Sequence, residues 1–154
     1  DIPFDIYDRQ ASTAGATPAE LCGAYERALT ASCGAGVLGV HLSAALSSTY
    51  SAAEDAVRQL GDSVAVVDSK SAAMGTGFIA LAAARAATAG ADLHTVVEAA
   101  RSAVGRTHAY VVVQRLDNLR RSGRLSGAAA WLGTALSLKP LLRVDNGKLV
   151  LAQR

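Results

Sequence analysis

Val37-Leu38-Gly39-Val40-His41-Leu42 and Val64-Ala65-Val66-Val67, the second stopped by Asp68-Ser69, are two short apolar runs with a single helical segment between them. Runs this short and nearly uninterrupted predict strands covered on both faces, not the alternating strands of a half-exposed sheet. The connection opens on small residues, Ser43-Ala44-Ala45-Leu46-Ser47-Ser48-Thr49-Tyr50, and continues as a helix through Leu60 and Gly61. Strand, helix, strand with short links predicts a parallel pair.

Working outward, Thr17-Pro18-Ala19-Glu20 is a helix start, with a threonine cap, proline in the first turn and glutamate three residues after the threonine. Leu21, Tyr25 and Ala28 share a face of that helix, which ends near Cys33-Gly34. After Asp68 an alanine-rich helix runs to about Ala89 and stops at Gly90, and Asp92 caps another that reaches about Ala103. The expected fold class is therefore α/β, a parallel sheet flanked by helices. Beyond Arg106 the pattern changes. Thr107 to Val113 is a β-rich run; a short helix, the turn Ser122-Gly123-Arg124 and a small apolar helix from about Gly127 to Leu136 follow. Pro140–Val144 and Lys148–Ala152 then read as a hairpin across Asp145-Asn146-Gly147. A boundary near Arg106 divides the chain into an α/β domain, 1–106, and the start of a second, α+β domain, 107–154.

Composition narrows the function classes. The 154 residues are 51% hydrophobic but only 5% aromatic, so alanine and valine carry much of the packing. No apolar run reaches the roughly 18 residues of a membrane span, which excludes stable membrane insertion by a helix. Cys22 and Cys33 make neither a disulfide framework nor a metal-ligand pattern, and read as small buried hydrophobes in a reducing, cytoplasmic setting. Residues 1–105 hold 6 Lys/Arg against 11 Asp/Glu, and residues 106–154 hold 9 against 2. The basic segment, with Arg120, Arg121 and Arg124, suggests an acidic partner or a solvated face. Nucleic acid is not expected, because no aromatic side chains interleave those arginines. The chain opens at Asp1 and closes soon after a hairpin strand, and so reads as a piece of something longer or as one in which segments were lost.

In a parallel sheet, ligands gather at the carboxyl ends of the strands. There the sequence offers Ser43, Ser47, Ser48 and Thr49 at a helix start, a set of hydroxyl donors beside free amide groups that suits an anion. The bland alternative makes Ser47 a helix cap. The enzymatic alternative makes it a hydrolase nucleophile, but the nucleophile-elbow pattern is absent and none of His41, His94 and His108 is clearly placed as its base. A basic interaction module is the third alternative. Gly75 and Gly77 sit inside a helical stretch, each at a cost of about 1 kcal/mol relative to alanine, and so imply close approach by a helix or a ligand.

Four ordered blocks carry a family resemblance. They are His41 to Tyr50; Val66-Val67-Asp68-Ser69-Lys70-Ser71 through Gly77; Leu116-Asp117-Asn118-Leu119-Arg120-Arg121-Ser122-Gly123-Arg124-Leu125-Ser126; and Leu138 to Val144 with the Asp145-Asn146-Gly147 turn. The chain resembles the DegV family of bacterial fatty-acid-binding proteins. The resemblance implies a Rossmann-like first domain and a second α+β domain, with a long-chain fatty acid enclosed between them. It also implies that the family's opening region and the last part of its second domain, with a late histidine, are absent here. Thr13 sits at the place of the threonine in a Thr-Ser-x-Pro-Ser loop that helps hold the carboxylate, although Ala14 and Ala16 depart from that pattern. Ser47 matches the serine of a Leu-Ser-Gly-Thr-Tyr block, with Ser48 where glycine is usual.

The function implied is that of a non-catalytic carrier that uses no cofactor or metal. It presents the bound carboxylate to a separate fatty-acid kinase, which forms the acyl phosphate for membrane-lipid synthesis. The carboxylate would meet Thr13, Ser47 and Ser43. Leu46, Met74, Phe78 and Leu81 would line the acyl pocket, with Gly75 and Gly77 making room for the tail. Arg120, Arg121 and Arg124 would dock the kinase or steady the transferring phosphate.

Overall fold

The computed structural model describes residues 14–113, 116–125 and 140–152. Helix α1, Pro18–Ala31, begins where the sequence places it. The Thr17 hydroxyl accepts the Glu20 amide at 3.3 Å while the Glu20 carboxylate accepts the Thr17 amide at 2.8 Å, so two orphan donors of the first turn are satisfied. Strand β1 (Val37–His41), helix α2 (Thr49–Leu60), a turn of 3₁₀ helix (Gly61–Ser63) and strand β2 (Val64–Asp68) follow. Helices α3 (Met74–Thr88) and α4 (Leu93–Val104) complete the first part, and the Asp92 carboxylate caps α4 by accepting the Thr95 amide at 2.8 Å.

The two strands pair in parallel from Val37↔Val64 to His41↔Asp68. The expected covering of both faces is present. Val37, Val64 and Val66 pack with Tyr25, Ala53 and Ala56 of α1 and α2. Leu38, Val40, Ala65 and Val67 pack with Ile79, Ala83, Val96, Val97 and Ala100 of α3 and α4. Alanine at the helix contacts lets backbone approach backbone, which is how a chain so poor in rings closes its core.

Pairing changes sense after Arg106. Strands β3 (Tyr110–Val112), β4 (Leu141–Asp145) and β5 (Lys148–Leu151) form an antiparallel sheet in that order, with helix α5 (Asp117–Arg121) between β3 and β4 in sequence. The β4–β5 hairpin turns on Asn146 and Gly147, at φ 47° and 80°, the left-handed pair that a two-residue turn of this hand requires. The small helix expected from Gly127 to Leu136 lies outside the described residues. The cysteines depart from expectation: Cys22 is half-buried and Cys33 is exposed, at a left-handed φ of 51° just past α1.

Candidate functional site

Both strands end in loops, 42–48 after β1 and 69–73 after β2, and polar groups bind these loops to each other. The Asp68 carboxylate accepts the amides of Ala44 (3.3 Å) and Lys70 (2.8 Å), one from each loop. The Ser69 amide donates to the His41 carbonyl at 2.9 Å, and the Ser43 amide to the Ser71 carbonyl at 2.8 Å. The result is a rigid floor at the carboxyl end of the sheet.

On that floor the hydroxyls have separate fates. Ser43 is 1% exposed; its hydroxyl donates to the Gly147 carbonyl at 2.7 Å and accepts the Ala45 amide at 3.2 Å. A serine has one proton, and this one is committed to protein, so the expectation of Ser43 as a carboxylate donor gives way to a structural role. Ser47 is half-buried. Its oxygen lies 2.9 Å from the Thr49 hydroxyl and accepts the Thr49 amide at 3.2 Å. One hydroxyl of the pair donates to the other, which leaves a second proton for a ligand. The residue at the cap position is Ser48, whose side chain makes no capping bond, while Ser47, one residue earlier, meets the first amide of α2, that of Thr49. Gly15 lies against this start, for a β-carbon there would stand 3.2 Å from Ser48 Oγ and 2.9 Å from Thr49 Oγ1. Thr13 lies outside the described residues.

Among the expected kinase-facing arginines, Arg124 reaches the loop directly. Its Nε donates to the Leu46 carbonyl at 3.2 Å and Nη1 to the Ser122 carbonyl at 3.2 Å. Arg120 and Arg121 are exposed in the last turn of α5.

An apolar face runs along α3. Met74, Phe78 and Leu81 fall on one side of α3 at i, i+4 and i+7, and are 59%, 58% and 47% exposed. Leu46 is half-buried. Gly77 lies under Met74, whose methyl and sulfur would stand 3.1 and 3.3 Å from a β-carbon there. Gly75 differs: it is buried, and the space of its missing β-carbon is taken by Ser71 Oγ and, at 3.2 Å, by Ala109 Cβ. Gly75 thus admits a neighbouring loop rather than opening a slot. A separate apolar cleft of about 450 Å³ lies between β1, α3 and α4, lined by Leu38, Val40, Ala84 and Leu93 among others. None of the three exposed α3 side chains lines it.

Sequence reasoning missed the buried hydroxyls Ser69 and Ser71 and the half-buried Thr76. Ser69 and Thr76 share a hydrogen bond of 2.8 Å. The Ser71 hydroxyl is buried and has no partner among the described residues. The polar run Asp68-Ser69-Lys70-Ser71 after an apolar strand was the available signal. Tyr25 shares a helix face with Leu21 and Ala28, and its hydroxyl lies 2.6 Å from His41 Nε2. Burial holds the His41 imidazole below its usual range and lifts the Tyr25 phenol above its own. His41 is therefore turned to α1, and no bond joins it to Ser47 among the described residues. No group of three metal-ligating side chains occurs among them either.

A parallel pair that ends in a Ser/Thr-rich helix start, followed by an antiparallel hairpin that returns to it, gives an arrangement that can be compared with known proteins. A family model described as "Uncharacterised protein, DegV family" matches residues 6–154. The chain belongs to the DegV family. A DegV domain-containing protein of Mycobacterium tuberculosis is 66% identical over all 154 residues, which cover 55% of that protein. The crystal structure of a DegV family protein from Corynebacterium glutamicum superposes with a TM-score of 0.86 at 39% identity, over 94% of this chain and 55% of the other. A DegV family protein from Thermus thermophilus, whose structure is described as one of fatty acid binding, gives 0.83 at 32% identity, over 97% and 54%. The chain spans about half the length of the curated relatives it matches.

Proposed function

We propose that this DegV chain binds a long-chain fatty acid and presents its carboxylate to a separate fatty-acid kinase, without itself catalysing the transfer. The observation that carries the reading is the exposed Met74–Phe78–Leu81 face, which begins at the same end of the sheet as the Ser47–Thr49 hydroxyl pair at the start of α2. An apolar stripe and an anion-favouring corner that start from one end of the sheet have the polarity of a fatty acid. Burying a sixteen-carbon tail contributes about 11 kcal/mol gross, at about 0.8 kcal/mol per methylene, before association costs. Each hydrogen bond to the carboxylate adds about 1.5–3 kcal/mol, so the tail supplies most of the affinity and the head fixes direction. Fatty-acid binding by the Thermus thermophilus relative supports the same ligand class.

In this reading Thr13 and Ser47 hold the carboxylate, and Leu46, Met74, Phe78 and Leu81 line the tail with Gly77 beneath Met74. Residues 1–106 form one domain and 107–154 begin the second, as part of a cytoplasmic carrier that feeds acyl phosphate to membrane-lipid synthesis. Arg120 and Arg121 face the kinase, and Arg124 supports the loop next to the carboxylate. Solvent extraction and mass analysis of the natively purified full chain should yield a long-chain fatty acid, and Thr13→Ala and Ser47→Ala should each lower its retention. Equal retention in both variants would mean the carboxylate lies elsewhere. Charge reversal at Arg120 and Arg121 should slow phosphorylation of bound acid with little loss of lipid affinity; unchanged rates would remove the docking surface.

A further inference from the structure

The headgroup loop is fastened from a distance. Ser43, at its start, is one of the largest fully buried side chains, and its hydroxyl donates to the carbonyl of a residue in the tip of a hairpin 104 positions later. Hairpin tips ordinarily face water. Here the tip is pressed into the sheet's carboxyl end so closely that Gly147 has no room for a β-carbon, whose site is taken by Ser43 Oγ. Gly147 is doubly constrained, since its φ of 80° also requires the left-handed region. A second tether arrives from another element: Arg124 Nε donates to the Leu46 carbonyl, three residues before α2 begins at Thr49. The two tethers are themselves joined, because Leu125 bridges to Leu149 of β5. Between them lie Ala44 and Ala45, and after them come Ser47 and Thr49. The amides of Leu46 and Ser47 both donate to the Ser43 carbonyl, so any shift of Ser43 is passed to Ser47.

We infer that Ser43 is a positioning residue, a pin that fastens the 145–148 turn to the 43–48 loop and so sets the Ser47–Thr49 hydroxyls for a carboxylate. The inference rests on the fatty-acid reading above. It gives the Asp145-Asn146-Gly147 turn a role beyond reversing the chain: the turn completes the headgroup corner, and occupancy of that corner tightens the turn.

The test uses the full chain and hexadecanoic acid as the probe. In thermal unfolding without ligand, Ser43→Ala and Gly147→Ala each lower the midpoint. The double variant should lose less than the sum, because with Oγ removed the nearest atom to the new methyl is Ser43 Cβ at 3.5 Å, an ordinary contact. At a temperature where Ser43→Ala is fully folded, its Kd for hexadecanoate should rise roughly tenfold, since the Gly147 carbonyl loses its partner and the loop its pin. Hexadecanoate should also slow amide exchange across residues 145–148 in the unsubstituted chain and not in Ser43→Ala, a response that a purely structural serine would not remove. Additive midpoint losses, an unchanged Kd, or exchange at 145–148 that ignores the ligand would each overturn the positioning role while leaving fatty-acid binding intact. No binding by the unsubstituted chain would overturn both.

Discussion

Phe78→Ala separates the outward face of α3 from its core face. Phe78 is 58% exposed, whereas the next residue, Ile79, is fully buried. An aromatic side chain presents about 200 Å², so roughly 110 Å² of Phe78 remains for an acyl tail to cover. At about 25 cal/mol per Å² that contact contributes up to about 3 kcal/mol. Alanine keeps part of it, and Met74 and Leu81 lean toward the gap, which leaves an expected loss of about 1.5–2 kcal/mol, or a Kd raised roughly ten- to thirtyfold. Folding should hardly respond, with a change below about 1 kcal/mol, because the side chain is half in water already. Ile79→Ala should show the reverse pattern, a stability loss of about 2–5 kcal/mol from a filled core position. Titration calorimetry with hexadecanoate, paired with urea unfolding of the same preparations, measures both quantities. Unaltered affinity in a folded Phe78→Ala chain would refute the tail path along α3.

Two further outcomes follow from the packing around β1 and β2. Gly75→Ala places a methyl against Ser71 Oγ and Ala109 Cβ and should cost about 1–3 kcal/mol by overpacking. Ser71→Ala removes a buried hydroxyl without a partner, should be neutral or stabilising by up to about 1 kcal/mol, and should recover part of the Gly75→Ala loss; urea midpoints that show equal Gly75→Ala losses in both backgrounds contradict that contact. For His41, burial lowers the folded-state pKa, so between that value and the unfolded value of about 6.5 the unfolded chain binds more protons. Stability from this group is therefore full above about pH 6.5 and declines as the pH falls below it. Thermal midpoints followed from pH 8 to pH 5 should show a decline that His41→Gln reduces; the same slope in both chains would place the proton uptake at another residue.

What was legible in the residues follows from the range of the interactions involved. Thr17 and Glu20 close a capping box within one turn, and the valine runs at 37–42 and 64–67 report their own burial, so α1, β1 and β2 stand where local pattern puts them. Ser43 and Ser47 are a harder pair. Both are small hydroxyl residues at the end of one strand, and only a contact with Gly147, more than a hundred residues away, buries the first against a hairpin tip while the second pairs locally with Thr49. Gly75 and Gly77 divide in the same manner, one against Ser71 and Ala109 inside, the other beneath Met74 outside. No local signal announces the start of α3 either: Ala73 takes a left-handed φ of 49°, a conformation that alanine ordinarily avoids. Yet once that start is fixed, the outward face is determined. Helical rotation of about 100° per residue, with Ile79 and Ala83 in the core, turns Met74, Phe78 and Leu81 to the other side. Alanine fills most of the rest of this helix, and alanine would have served solvent equally well at those three positions. Three large apolar side chains in water there need a cover to be worth keeping, and the hydrocarbon tail of the proposed fatty acid has the chemistry to supply one.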